Sequence, residues 1–236
     1  MKILGLQKLT LLDYPGYIAA IVFLGGCNFR CPFCQNSSLV LAPDQLPEIS
    51  RDEFLRFLRK RAGILEGVCV TGGEPCIHPE LPGLLEEIRQ TGLRVKLDTN
   101  GTNPDMLAAL LKDGLLDYVA MDIKSGPSRY ARVCGVSESS SPGLLEKINR
   151  SVRLLKDSGI SYEFRTTAVK GLHDENDFSE ISTLIEGCPN YYLQNFRDCP
   201  EVLLENHSFS PFSEEELRHF LSIVQKKVPQ ACLRGL

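Results

Sequence analysis

Tryptophan is absent from the 236 residues, and methionine and histidine are scarce, at three and four. The histidines, His78, His173, His207 and His219, are scattered and form no His-x-x-x-His pair. A histidine-built metal site or histidine-centred acid–base catalysis is therefore not suggested. Positive charge is not in excess: 26 Lys and Arg stand against 30 Asp and Glu, a net charge of −4. No basic stripe marks a nucleic-acid surface. The densest basic stretch, Arg56 to Arg61, alternates with Phe54, Leu55, Phe57 and Leu58 at helical spacing, as on the solvated face of an amphipathic helix. Long apolar runs are missing too. None approaches the roughly 18 residues of a membrane span. The N-terminal apolar stretch is interrupted by Lys8 and Asp13, unlike a secretory leader. The expected setting is the cytoplasm, with neither membrane nor nucleic acid as partner. Cysteine, by contrast, is plentiful, at nine. In a cytosolic chain such thiols read as metal ligands or buried small side chains sooner than as disulfides.

Hydrophobic residues make up 43% of the chain, enough for a packed core. Strand and helix patterns alternate along it. Short apolar runs predict strands over 17–24, 67–71, 94–98, 116–123, 160–169 and 190–195, several of them ended by Gly-Gly or Asn-Gly. Between and after them, helices are predicted over 52–61 (Ser50 as N-cap), 79–91, 104–113, 142–158, 175–186 and 214–227. Six such units imply βαβ crossovers and a parallel sheet, either an open, partial barrel or a doubly wound sheet. One domain is expected, with its core over about 17–197 and a helical C-terminal extension over 198–236. The polar run 137–141 reads as a mobile loop.

The main chemical signal follows the first of these strands. Cys27, Cys31 and Cys34 form a C-x3-C-x2-C triplet within GGCNFRCPFCQN. That spacing lets three thiolates converge on one centre, and thiolates ligate both Fe–S clusters and zinc. A four-iron cubane on three cysteines leaves one iron free for a small ligand. A zinc site completed by a fourth residue, or three unrelated thiols, are the alternatives. Structural zinc sites favour two C-x2-C pairs, and no two of Cys69, Cys76, Cys134, Cys188, Cys199 and Cys232 are within four positions. Between Cys34 and Gly72 the chain holds only Cys69, so a second cluster is not expected.

The triplet, with Phe33 as the aromatic before Cys34, resembles the signature of the radical S-adenosylmethionine (SAM) superfamily. The resemblance implies a partial (β/α)6 barrel and a [4Fe–4S] cluster whose open iron binds SAM. It also implies reductive cleavage of SAM to a 5′-deoxyadenosyl radical. Strand ends in α/β sheets are where sites gather. The second strand runs into Thr71-Gly72-Gly73-Glu74, similar to the family's GGE motif, in which the glutamate takes the SAM amino group. The third ends in Asp98-Thr99-Asn100-Gly101. The fourth carries Asp122 and Lys124, the fifth Glu163 and Arg165, each pair on one face. For Glu163 and Arg165 a solvated edge is the plain reading.

Asp-Thr-Asn-Gly, then Asp-x-Lys, then an arginine resembles the activases of glycyl-radical enzymes. There these positions imply that Asp98 and Asp122, with Thr99 near, hold a monovalent cation. They also imply that Lys124 and Arg165 meet SAM's carboxylate and ribose end. Gln194, on the last strand, would touch the nucleoside. Together with 12-LDYPG-16 and 192-YLQNFR-197 the text is similar to the activating proteins of anaerobic ribonucleoside-triphosphate reductases. It departs from them at Cys76 and at Asp198-Cys199. The implied partners are a glycyl radical enzyme and a flavodoxin or ferredoxin-type electron donor. A radical SAM enzyme acting on a small molecule, of the deazapurine-synthesis type, is the alternative.

Overall fold

In the computed structural model, which describes residues 1–204 and 208–235, eight strands hydrogen-bond in chain order into one sheet. His207 lies outside the described residues. The first strand, β1 (Ile3–Thr10), runs antiparallel to β2 (Ala19–Leu24), from Ile3 opposite Leu24 to Thr10 opposite Ala19. From β2 onward every neighbour is parallel. After β2 come the cysteine loop, α1 (Ser37–Leu41), α2 (Arg51–Lys60) and β3 (Gly67–Gly72). Then α3 (Leu81–Gln90), β4 (Arg94–Thr99), α4 (Pro104–Lys112) and β5 (Tyr118–Asp122) follow. A long crossover holds α5 (Tyr130–Cys134) and α6 (Ser141–Asp157) before β6 (Ser161–Ala168). The chain ends with α7 (Glu175–Leu184), β7 (Tyr191–Asn195), α8 (Glu214–Gln225) and β8 (Cys232–Arg234).

Parallel strands covered on both faces are apolar throughout, and β2 is an instance: all its residues are buried except Phe23, which is half-buried. The helices start where polar caps allow. Ser50 accepts the Glu53 N–H at 3.2 Å, and Asp174 and Ser213 complete reciprocal capping boxes on α7 and α8. The outer strands β1 and β8 are not paired with each other, so the barrel is partial and open. Because β2 to β7 are parallel, their C-terminal ends share one rim, and the loops that carry the chemistry meet there.

Six predicted units are present, and the short helices α1 and α5 are added between them. The sheet gains β1, whose outer half is exposed and breaks the apolar pattern, and β8, three residues that form a strand by pairing with β7. Among the described residues after 197, only α8 is an α-helix. The run 137–141 is a short 3₁₀ turn, Glu138–Ser140, leading directly into α6. The spare cysteines are buried at 69, 76, 134 and 188, but Cys199 is half-buried and Cys232 is exposed. No described helix is long and apolar enough to cross a membrane.

Candidate active site

A cavity of about 380 Å³ opens at the C-terminal rim of the strands. Its wall brings together all thirteen positions singled out from the sequence: the cysteine triplet with Phe33; Gly72, Gly73 and Glu74; and Asp98, Thr99, Asp122, Lys124, Arg165 and Gln194.

The cysteine loop is held by its own backbone. The Gly26 N–H donates to Leu39 at 2.8 Å, the Cys34 N–H to Cys31 at 3.0 Å, and the Phe29 N–H to the Cys27 sulfur at 3.4 Å. Burial pushes the Cys27 thiol up to about 11 and raises Cys34. Cys31 is lowered, chiefly by a hydrogen bond from the Cys134 thiol. Among the described residues, no three His, Cys, Asp or Glu side chains are gathered closely enough to hold a single metal ion. The three thiols all line this cavity, and as soft ligands from one loop they would hold an iron–sulfur cluster there. Its positive charge would hold Cys27 and Cys34 as thiolates against their burial.

The glycines fit this loop against β3. A β-carbon on Gly73 would fall on the Gly26 carbonyl, and Gly72, at φ +126°, has no room beside Leu24. The Gly73 N–H donates to Leu24 and the Glu74 N–H to Gly26, each at 2.9 Å. Glu74 is buried and accepts three hydrogen bonds: Thr99 Oγ1 at 2.7 Å, Asn100 N–H at 2.6 Å and Cys76 N–H at 3.0 Å. Burial raises its pKa, and these donors oppose the rise. The Cys76 side chain is a further hydrogen-bond partner, so a ligand's ammonium would share or displace one of these donors.

A buried ladder of alternating charge crosses the barrel. Lys96 pairs with Asp98, and Arg165 bridges Asp98 (3.2 Å) and Asp122 (2.9 Å). Asp122 also meets Lys124 at 2.9 Å. Burial alone would raise both carboxylates, but Arg165 with Lys96 or Lys124 more than offsets it and holds both below their ordinary range. Within the ladder three cations face two carboxylates, but Lys96 does not line the cavity; the cations on its wall are Lys124 and Arg165. The space between Asp98 and Asp122 is bridged by a guanidinium. Glu163 and Arg165 are not a solvated edge: Glu163 is wholly buried and Arg165 nearly so.

Several residues of the wall have no distinctive sequence signal. Asn36 donates to the Gly72 carbonyl at 3.1 Å, and Asp13, Asn100 and Thr167 also face the cavity. Lys96 could have been noticed, since it stands at i−2 from Asp98 as Asp122 stands from Lys124. His173 packs edge-on to Phe33, 6.3 Å between centroids. Its Nδ1 accepts from Val169 N–H at 3.1 Å, so the proton on Nε2 is assigned to the Lys124 carbonyl at 2.8 Å. Burial lowers its pKa and keeps it neutral.

The Radical SAM superfamily description matches residues 21–185. The chain belongs to the radical SAM superfamily. Membership implies a [4Fe–4S] cluster and SAM. A protein of Methanocaldococcus jannaschii named "Putative glycyl-radical enzyme activating enzyme" is 30% identical over 98% of this chain and 95% of its own. A protein of Thermococcus kodakarensis named "Probable GTP 3',8-cyclase" is 30% identical over 68% of this chain but only 49% of its own length. Among solved structures, Streptococcus suis SuiB bound to its precursor peptide SuiA has the same fold. Its TM-score is 0.66 at 13% identity, covering 91% of this chain and 48% of SuiB. The chain thus spans about half the length of the cyclase and of SuiB. As a radical SAM protein it has the partial barrel of that family, and the cysteine loop and GGE turn lie at that barrel's rim.

The charge ladder sets an acid limit. Asp98, Asp122 and Glu163 have lowered pKa values, so the folded chain binds fewer protons than the unfolded one in acid. Their stabilisation is complete above the ordinary carboxylate range and is lost as pH falls through the lowered values, while Glu74 acts in the opposite sense. In the cluster-free chain, the urea midpoint should hold steady down to about pH 5 and fall steeply by about pH 3. Asp122→Asn should flatten that fall. A midpoint that rises between those two values would contradict it.

Proposed function

We propose that the chain is an activating enzyme: with Cys27, Cys31 and Cys34 on a [4Fe–4S] cluster and SAM in the cavity, it generates a glycyl radical on a partner enzyme. The partner proposed is an anaerobic ribonucleoside-triphosphate reductase, and the electron donor a flavodoxin or ferredoxin-type protein of the cytoplasm. The observation that carries this reading is the match to the M. jannaschii protein, which covers 98% of this chain and 95% of that protein. The match to the cyclase covers about half of that protein. When bound, the cluster and SAM supply the electron transfer and carbon–sulfur cleavage that yield a 5′-deoxyadenosyl radical.

The chain's own residues bind and orient. Glu74 meets the amino group of SAM, whose charged N–H groups take the place of one of its neutral donors. Lys124 and Arg165 carry the positive charge that faces the carboxylate. Asp98 and Asp122, with Thr99 fixed on Glu74, keep those cations in place. Phe33 is buried between the cysteines and His173 and shields the thiolates from water. Gln194 offers an amide to the nucleoside at the far wall.

A protein partner suits the rim. Exposed leucines stand beside it: Leu12 next to Asp13, Leu41 next to Val40, and Leu204, whose N–H donates to Pro32 at 3.0 Å. An apolar rim of this kind favours a protein loop over a free polar heterocycle. The reduced protein, given SAM under anaerobic conditions, should produce the paramagnetic resonance doublet of a glycyl radical on the reductase. Turnover of a nucleotide or deazapurine precursor with no protein radical would sink the activase reading.

A further inference from the structure

Below the ladder lies a second buried ion pair that the function so far leaves unused. Glu163, on β6, is fully buried and accepts from Tyr118 Oη at 2.8 Å. Its two oxygens also take the forked guanidinium of Arg234, at 2.7 and 2.8 Å. Arg234 comes from β8, 71 residues further along the chain, and lies flat over the Tyr192 ring at 3.5 Å. Tyr118 comes from the neighbouring strand β5, whereas Arg234 reaches Glu163 from β8, across the intervening β7.

Glu163 and Arg165 are two apart on one strand. Their side chains leave the same face about 6.6 Å apart along the strand. That is within the reach of an arginine. A carboxylate buried this deeply must find a cation. Three cations surround it: Arg234 from β8, Arg165 from β6 and Lys96 from β4, the last two acting on it through space. Arg234 occupies both oxygens in the bidentate geometry that arginine alone supplies. Arg165 and Lys96 are then free to pair upward with Asp98 and Asp122. Without Arg234, either would be drawn down to Glu163, and the ladder under the cavity would come apart.

We propose that Arg234 is a positioning residue for the SAM site, satisfying Glu163 so that Arg165 stays bridged between Asp98 and Asp122. The proposal rests on reading the cavity as a SAM site. A bland alternative is that the pair only fastens β8 to the barrel.

The two differ in how the damage is repaired. SAM dissociation constants are measured on the anaerobically reconstituted full chain, with Arg234→Ala, Glu163→Gln and the double variant. Arg234→Ala should weaken SAM binding about tenfold or more. Adding Glu163→Gln removes the competing carboxylate and should return the affinity to within about twofold of wild type, although β8 has lost its fastening. Arg234→Gln serves in place of Arg234→Ala if the latter does not fold, with the same expectations. Wild-type affinity in the single variant, or no recovery in the double one, overturns the proposal. A crystal structure of the cluster-free Arg234 variant gives a second readout: Arg165 or Lys96 turned onto Glu163 is expected, and an unmoved ladder overturns it. If wild-type protein itself binds no SAM, the reading of the cavity fails, and that structure still decides the role of Arg234.

Discussion

Serine in place of Cys31 is expected to leave the reconstituted chain with less than about a quarter of the iron and sulfide taken up by wild type, because a neutral hydroxyl replaces a soft thiolate at an iron. Cys31 is the most buried of the triplet, between Phe29 and Phe33 in the core. Water cannot readily substitute for the missing ligand there. Loss of the cluster removes the electron source, so SAM cleavage should fall to background, and SAM affinity with it. Folding should survive: the change is small, and the hydrophobic core reaches far beyond this loop. Cys188→Ser is the matched control. It is equally buried but sits beside Asn190 at the start of β7, away from the cavity, and should retain full iron and sulfide. Iron and acid-labile sulfide assays on both variants check the expectation. Wild-type iron in Cys31→Ser, or equal losses in the two variants, would remove the assignment of the triplet to a cluster.

What could be read beforehand follows a physical divide. Buried parallel strands are continuous apolar runs closed by glycines, so β2 to β7 stand out in the sequence, and parallel pairing then forces their ends to one rim. The loops at those ends carry residues an ordinary turn has no use for, such as three cysteines or Glu74 after two glycines. What stays hidden depends on pairing across the barrel. Glu163 and Arg165 look like a solvated strand face, since alternate charges usually point at water. Here that face is the barrel interior, and their partners Arg234, Asp98 and Asp122 lie on three other strands. Likewise β8 has no pattern of its own; it is a strand because β7 lacks another neighbour on that side. His173 gives no signal because its role is set by a carbonyl 49 residues away.

Alanine at Gly73 is expected to do more harm than one methyl group would suggest. The new β-carbon would stand on the Gly26 carbonyl and close to the Cys27 N–H. Both neighbours are backbone, so neither can swing aside as a side chain would. Relief requires the cysteine loop and the GGE turn to part, breaking the Glu74 N–H to Gly26 hydrogen bond and carrying Glu74 away from the triplet. Overpacking of this kind costs about 1–3 kcal/mol, and loss of the hydrogen bond adds about 1 kcal/mol. The urea midpoint should fall accordingly. SAM affinity should drop about tenfold or more, since 1.4 kcal/mol corresponds to a factor of ten and the cluster and the amino-group site are displaced together. Gly143→Ala offers the contrast. Gly143 lies in the first turn of α6 with nothing within 4 Å of a new β-carbon. There alanine should raise stability by about 0.5–1 kcal/mol and leave SAM binding unchanged. Binding titrations and urea unfolding on the two variants separate the cases. If Gly73→Ala binds SAM as wild type does, the contact between the cysteine loop and the GGE turn does not set the geometry of the site.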